Sequence, residues 1–360
     1  MNNMKIVDIF TTIVKIDSVS GNEQDMAIYI KNWLEKVGFK WKQDKLGSIL
    51  AIEKGNDSPE LLLSSHMDTV EPGNGINPII KNDYIQSDGK TILGADNKSS
   101  ISAIICAVEE YKEKNNKLPN IELLFSVKEE TGGGLEFFPF EWVKSKVGLT
   151  FDYAKPFGKI VLSSPYIYNF KATFIGKSAH SSRPEEGVNS LSPAIKFMDK
   201  IKMGRFDKGE TTINIGVVNS GIGINTVPNK TIVQGEIRSL NKNKFDVHIK
   251  ELNKHVVDIK SKYPDVEIEL KLDGYCSGYN HKEKDPFILK IISIYKKLSI
   301  ETSFDKPTGI SDANPLVNAG IQVVNLSDGV EDPHTTNEKI SVKNLERLTE
   351  IVSTFLSDIG

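Results

Sequence analysis

The chain has 360 residues, 39% hydrophobic and 26% charged, with 45 basic against 48 acidic side chains and a formal net charge of −3. That is a globular composition, too long for one ordinary core, so two domains are expected. The near balance of charge, with no basic block, argues against a nucleic-acid partner, and no stretch is apolar for long enough to span a membrane.

The start, Met1-Asn2-Asn3-Met4-Lys5-Ile6-Val7-Asp8, lacks the apolar core of a secretion signal. Cys106 and Cys276 fit no metal or redox spacing and read as reduced thiols of a cytoplasmic protein. Apolar side chains at helical spacing predict helices over 4–16 and 23–37. Asp17-Ser18-Val19-Ser20-Gly21 separates them and is expected to cap the second. Short strands follow at 39–41 and 48–53. Leu61-Leu62-Leu63-Ser64-Ser65-His66 is then a buried strand ending in a polar tip, Met67-Asp68-Thr69. Side chains two apart on a strand share a side, so His66 and Asp68 fall together at that tip. A small hairpin is expected from Ile79 to Gln86. Gly94-Ala95-Asp96-Asn97-Lys98 forms a second charged tip before a helix over 99–112, apolar nearly all round and so expected against a sheet. The strand at 121–127 runs into Lys128-Glu129-Glu130, and that at 147–151 into Asp152. Strands alternating with helices indicate an α/β fold with functional side chains at the strands' carboxyl ends.

Near Pro165 the pattern changes. Strand 168–176, helix 188–203, strands 211–219 and 231–240, helix 244–262 and strand 266–272 give the order β-α-β-β-α-β of a ferredoxin-like unit. After Gly274 the first pattern resumes, with helix 286–297, strands 302–304 and 321–326, and helix 342–357. The expected organisation is a catalytic domain with a mixed sheet flanked by helices, in two parts, 1–165 and 275–360. A ferredoxin-like α+β domain, 166–274, is inserted between them.

His66, Asp96, Glu130, Asp152 and His334 come from five segments, each following a strand or lying in a Gly/Pro-rich loop. Carboxylates crowding one sheet edge repel without a cation. Two histidines and three carboxylates suit the mixed N/O ligation of zinc, and with one carboxylate bridging they suit a pair of ions. Cobalt or manganese can substitute, because no ligand is a thiolate.

Ser65-His66-Met67-Asp68-Thr69-Val70, Gly94-Ala95-Asp96-Asn97-Lys98, Glu129-Glu130-Thr131-Gly132 and Phe151-Asp152 resemble the dinuclear zinc peptidases of the aminoacylase/carboxypeptidase G superfamily. Gly309-Ile310-Ser311-Asp312-Ala313-Asn314 and His334-Thr335-Thr336-Asn337-Glu338 extend the match, closest to the peptidase T-like, tripeptide aminopeptidase-like branch. The resemblance implies Asp96 as the bridging ligand, His66 and Asp152 on one zinc, and Glu130 and His334 on the other. It further implies Asp68 to orient His66, Glu129 as the general base toward the activated water, and a cis peptide between Asp96 and Asn97. Asn97 stands where relatives more often carry an acid. Gly176-Lys177-Ser178-Ala179-His180-Ser181-Ser182 resembles the segment whose histidine stabilises the reaction's oxyanion in a neighbouring subunit, so His180 and a homodimer through the inserted domain are expected. Asn225, in a Gly-rich turn, and Arg238, able to grip a carboxylate bidentately, are candidate contacts to a small peptide substrate. A carboxypeptidase or N-acyl-amino-acid deacylase on the same scaffold is the alternative, because the ligands serve any amide hydrolysis. A non-catalytic metal-containing homologue is the alternative of another class, and Glu129, which metal binding does not require, argues against it.

Overall fold

The computed structural model describes residues 3–53 and 59–358; Met1 and Asn2 of the start, and the last two residues of the expected second catalytic part, lie outside them. The described residues form two compact units. One is drawn from Met1–Leu162, His281–Asp305 and Ile310–Gly360, the other from Ser163–Asn280 with Lys306–Gly309.

The first unit is built on an eight-stranded mixed sheet. Its spatial order is 39–43, 49–53, 121–126, 61–66, 147–153, 322–327, 159–161 and 303–305. Leu61–His66 and Ile121–Ser126 are buried at every residue. That continuous burial is typical of strands with both faces covered, and explains why they read as unbroken apolar runs. Sheet side chains share one core with the helices Gln24–Val37, Ala95–Asn115, Pro286–Lys297 and Val342–Asp358. Four neighbouring strands, Ile121–Ser126, Leu61–His66, Val147–Tyr153 and Gln322–Ser327, run parallel. His66 lies opposite Ser126, and Phe151 opposite Leu326. Their carboxyl ends therefore lie side by side, where an open α/β sheet offers its binding crevice.

Several local expectations need correction. The 17–21 segment does not cap the second helix, which begins at Gln24 with Glu23 at its N-cap and no side-chain cap bond. Ser20 Oγ donates instead to Asp68 Oδ2 at 2.6 Å. Glu23 Oε1 accepts from the amides of Gly21, at 2.8 Å, and Lys128, at 3.1 Å. Ala95–Asn115 is non-helical at Asp96 and Asn97, whose connecting peptide is cis, as the resemblance implied. His281 is buried, with Nε2 2.8 Å from the Val323 carbonyl. Lys159–Val161, Ala313–Asn318 and Lys339–Ser341 were not anticipated, being too short to show a period.

The second unit is an antiparallel sheet in the order 204–206, 211–220, 230–239, 166–175 and 267–276. Without its short first strand this is the ferredoxin-like arrangement. Leu191–Lys200 and Lys242–Lys262 pack on it around a separate core that includes Phe170, Phe174, Phe197 and Phe245. The first of these helices is shorter than its apolar pattern. Val188 and Lys177 exchange backbone hydrogen bonds at 2.8 and 2.9 Å, so Val188 is bound elsewhere. At the other end the chain passes into the strand Gly204–Phe206.

Candidate metal centre

His66 is the last residue of its strand and is buried. Its Nδ1 lies 3.0 Å from the Asp68 carbonyl and 3.4 Å from Asp68 Oδ1. Both are acceptors, so Nδ1 carries the proton, and in the neutral ring Nε2 has the free lone pair, the form that binds a metal. That Nε2 faces Asp96 Oδ1 at 3.2 Å and Asp152 Oδ1 at 3.8 Å. His334 Nε2 faces Glu130 Oε1 at 2.9 Å and Asp96 Oδ2 at 3.4 Å. The two oxygens of Asp96 thus point to two different imidazoles, with Asp152 beside one and Glu130 beside the other. The chain brings all five predicted ligands together. Glu129 joins them, since one ligand atom from each of His66, Glu129 and Asp152 lies within 4.8 Å of the others, as do those of His66, Asp96 and Glu130.

Asp68 does more than its sequence position indicates. Its Oδ1 accepts from the amide of Glu129 at 3.0 Å, and its Oδ2 from the amide of Glu130 at 3.2 Å. One buried carboxylate therefore fixes the backbone carrying both glutamates, and shares the holding of His66 with its own carbonyl. Asn325 clamps the Asp152 backbone in the same manner, accepting from its amide at 3.0 Å and donating to its carbonyl at 2.8 Å. Asp312 accepts from Ser126 Oγ at the end of the strand leading to Glu129. Sequence reasoning gave Asp68 only the orienting of His66 and assigned no role to Asn325 or Asp312. Their signal is a polar side chain in or beside an apolar strand, which does not name its partner.

The electrostatics reflect crowded carboxylates. Burial, with Asp152 next in weight, holds Glu129 well above its ordinary pKa. Burial likewise lifts Asp152 to about 7, against the opposing pull of His66. Burial lifts Asp312 to about 6, and Asp328 well above its usual range with help from Asp96. Hydrogen bonds to Asp96 and Glu130 raise His334 to about 10. Burial opposes charge on His66, but Asp152, Asp68 and Asp96 outweigh it and hold the ring well above its ordinary value. Burial likewise opposes charge on Asp96, and the two histidines outweigh it, lowering that carboxyl. So many acids cannot all ionise in one buried place without positive charge. The donor set is imidazole nitrogen and carboxylate oxygen throughout, and it fits two divalent ions.

Asn97 accepts from Ser65 Oγ at 2.9 Å through Oδ1. It thereby adds no further charge beside Asp96.

The remaining predicted residues lie in the second unit. The His180 and Asn225 segments are paired: the Ser181 amide donates to the Asn225 carbonyl at 2.9 Å, and the Val227 amide to the Ala179 carbonyl at 2.9 Å. His180 and Asn225 are exposed. The amide of Ser182 donates to His180 Nδ1 at 3.2 Å. Nδ1 must therefore accept, which leaves the neutral ring's proton on Nε2 as an outward donor. Arg238 is already paired within its own unit. Its Nε and Nη2 bind the carboxylate of Glu236 at 2.5 and 2.7 Å, and Nη1 donates to the Thr308 carbonyl at 2.9 Å. Its planar fork is filled by a neighbour two residues away, so a substrate carboxylate would have to displace Glu236.

Residues 165–264 match the Peptidase dimerisation domain family, M20 type. The whole chain is similar to the crystal structure of aminopeptidase PepT from Bacillus cereus, at 30% identity and a TM-score of 0.90, covering 100% of this chain and 99% of that one. It is similar to a Staphylococcus aureus tripeptidase at 28% identity and a TM-score of 0.90, with 100% and 99% covered. Peptidase T of Macrococcus caseolyticus is 24% identical over 95% of each chain.

Proposed function

This chain belongs to the M20 peptidase family, and from that premise and the split of Asp96 between two imidazoles we propose that it is an aminopeptidase removing one residue from small unblocked peptides, with two zinc ions as its native metals. It is a metal-dependent peptide-bond hydrolase with a dimerisation domain. Among the described residues no helix is long and apolar enough to cross a membrane.

Asp96 lies between the two sets and would be shared by both ions; His66 and Asp152 would hold one, and Glu130 and His334 the other. When bound, the ions supply Lewis acidity toward the scissile carbonyl and lower the pKa of the attacking water. Glu129, which lies with His66 and Asp152, takes a proton from that water at its carboxylate and delivers it to the leaving nitrogen. Asp68 keeps this carboxylate in place by holding the Glu129 amide. His180, acting from the partner subunit, donates a hydrogen bond from its Nε2–H to the oxyanion that forms, keeping the proton on the ring. Asn225, paired with the His180 segment, contacts the peptide backbone, and Arg238 takes part only after exchanging Glu236 for a substrate carboxylate. The single observation carrying the reading is Asp96, with oxygens 3.2 and 3.4 Å from the Nε2 atoms of His66 and His334.

The alternatives are separated by the blocked end. Zinc-loaded protein should release the first residue from unblocked tripeptides and lose activity when their amino terminus is acetylated, read by mass spectrometry of the products. Release of the last residue, undiminished by acetylation, would identify a carboxypeptidase. Selective cleavage of N-acyl amino acids would identify a deacylase.

A further inference from the structure

Glu338 lies four residues beyond His334 and is 1% exposed. Its carboxylate accepts three backbone hydrogen bonds from a single distant turn. Oε2 accepts from the amides of Leu93 and Gly94, each at 2.8 Å, and Oε1 from the amide of Asp96 at 2.9 Å. The turn is cramped: Gly94 has φ +70°, and a Cβ there would lie 3.2 Å from Thr69 Cγ2 and 3.3 Å from Ile76 Cδ1. At the other end, Asp332 and His334 have φ of 52° and 61°, in the left-handed region that is uncommon for residues other than glycine. One side chain thus ties the segment carrying His334 to the turn carrying Asp96. Across that tie, His334 Nε2 stands 3.4 Å from Asp96 Oδ2.

We propose that Glu338 is a positioning residue for the metal centre, fixing the bridging carboxylate of Asp96 relative to the imidazole of His334. The proposal rests on the two-metal reading above. Three amide donors converge on a carboxylate that has acceptor capacity for all of them. A glutamine of the same length offers one oxygen, and its amide nitrogen then faces an N–H at one end, donor against donor. The turn is no longer held at both ends, and Asp96 is free to shift from the position its two partners require. Groups that orient metal ligands from behind typically change affinity by about 10- to 100-fold when removed.

The test uses the full chain, stripped with chelator, and zinc titrated against a competing chromophoric chelator. Wild type should take two ions. Glu338→Gln should bind at least one of them about 10- to 100-fold more weakly, at a temperature where circular dichroism shows the stripped variant folded. Glu338→Ala should lose as much or more; if it does not fold when stripped, Glu338→Gln alone decides. A folded Glu338→Gln with wild-type affinity for both ions overturns the proposal, whatever happens to its melting temperature, because that is the behaviour of a purely structural bond. If wild type itself takes no zinc, the two-metal reading fails, and that failure is visible before any variant is compared.

Discussion

Glu129→Ala is expected to lower kcat by about 10²- to 10⁴-fold, the usual contribution of a positioned general acid–base, while metal content stays near that of wild type. Glu130→Ala is expected to lose metal as well as turnover, because its carboxylate is 2.9 Å from His334 Nε2 and 2 of the groups around that imidazole become 1. The contrast matters because sequence position alone does not separate the two neighbours. Both amides are held by Asp68, and both side chains are near candidate ligands. Glu129 lies with His66 and Asp152, Glu130 with His66 and Asp96. Burial and Asp152 hold Glu129 well above its ordinary pKa, which disfavours its base form; bound cations act in the opposite direction and restore it. Elemental analysis and steady-state kinetics on the same preparations make the comparison. Metal loss in Glu129→Ala, with retention in Glu130→Ala, would reverse the two roles.

The second large effect is expected at His180. His180→Ala should reduce kcat by about 10²- to 10³-fold, the cost of one oxyanion donor, without reducing metal content. The ring is prepared for that role, since the Ser182 amide occupies Nδ1 and leaves Nε2 to donate. Action in trans makes a sharper prediction. In a dimer of Glu129→Ala with His180→Ala subunits, one site carries both defects and the other carries none. Mixing the two variants in equal amounts, with free subunit exchange, should restore roughly a quarter of wild-type sites, by the two-fold symmetry of the assembly. If a tagged pull-down shows exchange and activity stays at the level of the single variants, His180 does not act across the dimer.

Much of the first unit was legible because strand and chemistry coincide in it. Leu61–His66 reads as a buried strand from its three leucines, and parallel pairing with Ile121–Ser126 and Val147–Tyr153 then brings the charged tips together. The five candidate ligand positions were read from such tips, from the loop that carries His334, and from the family resemblance. What could not be read is what holds the tips. Glu338 binds amides more than 240 residues away in sequence, and Asn325 grips Asp152 across 173 residues. Such partners are set by tertiary placement, and a lone polar residue carries no period that reveals them. Arg238 shows the converse limit. Its alternation on a strand is real, but Glu236, two residues earlier on the same side, occupies the guanidinium locally. The helix at 191–200 was overextended because Val188 continues its apolar spacing while its backbone is already bound to Lys177.

Metal-dependent peptide cleavage is tested most directly by titrating chelator-stripped protein with zinc while following release of the first residue from an unblocked tripeptide. Turnover should be absent in the stripped chain, rise with added zinc, and level off at about two equivalents per chain, the content of a two-ion site. Equal turnover with and without metal, or a chain that takes two ions and cleaves no peptide, would contradict a metal-dependent peptide hydrolase.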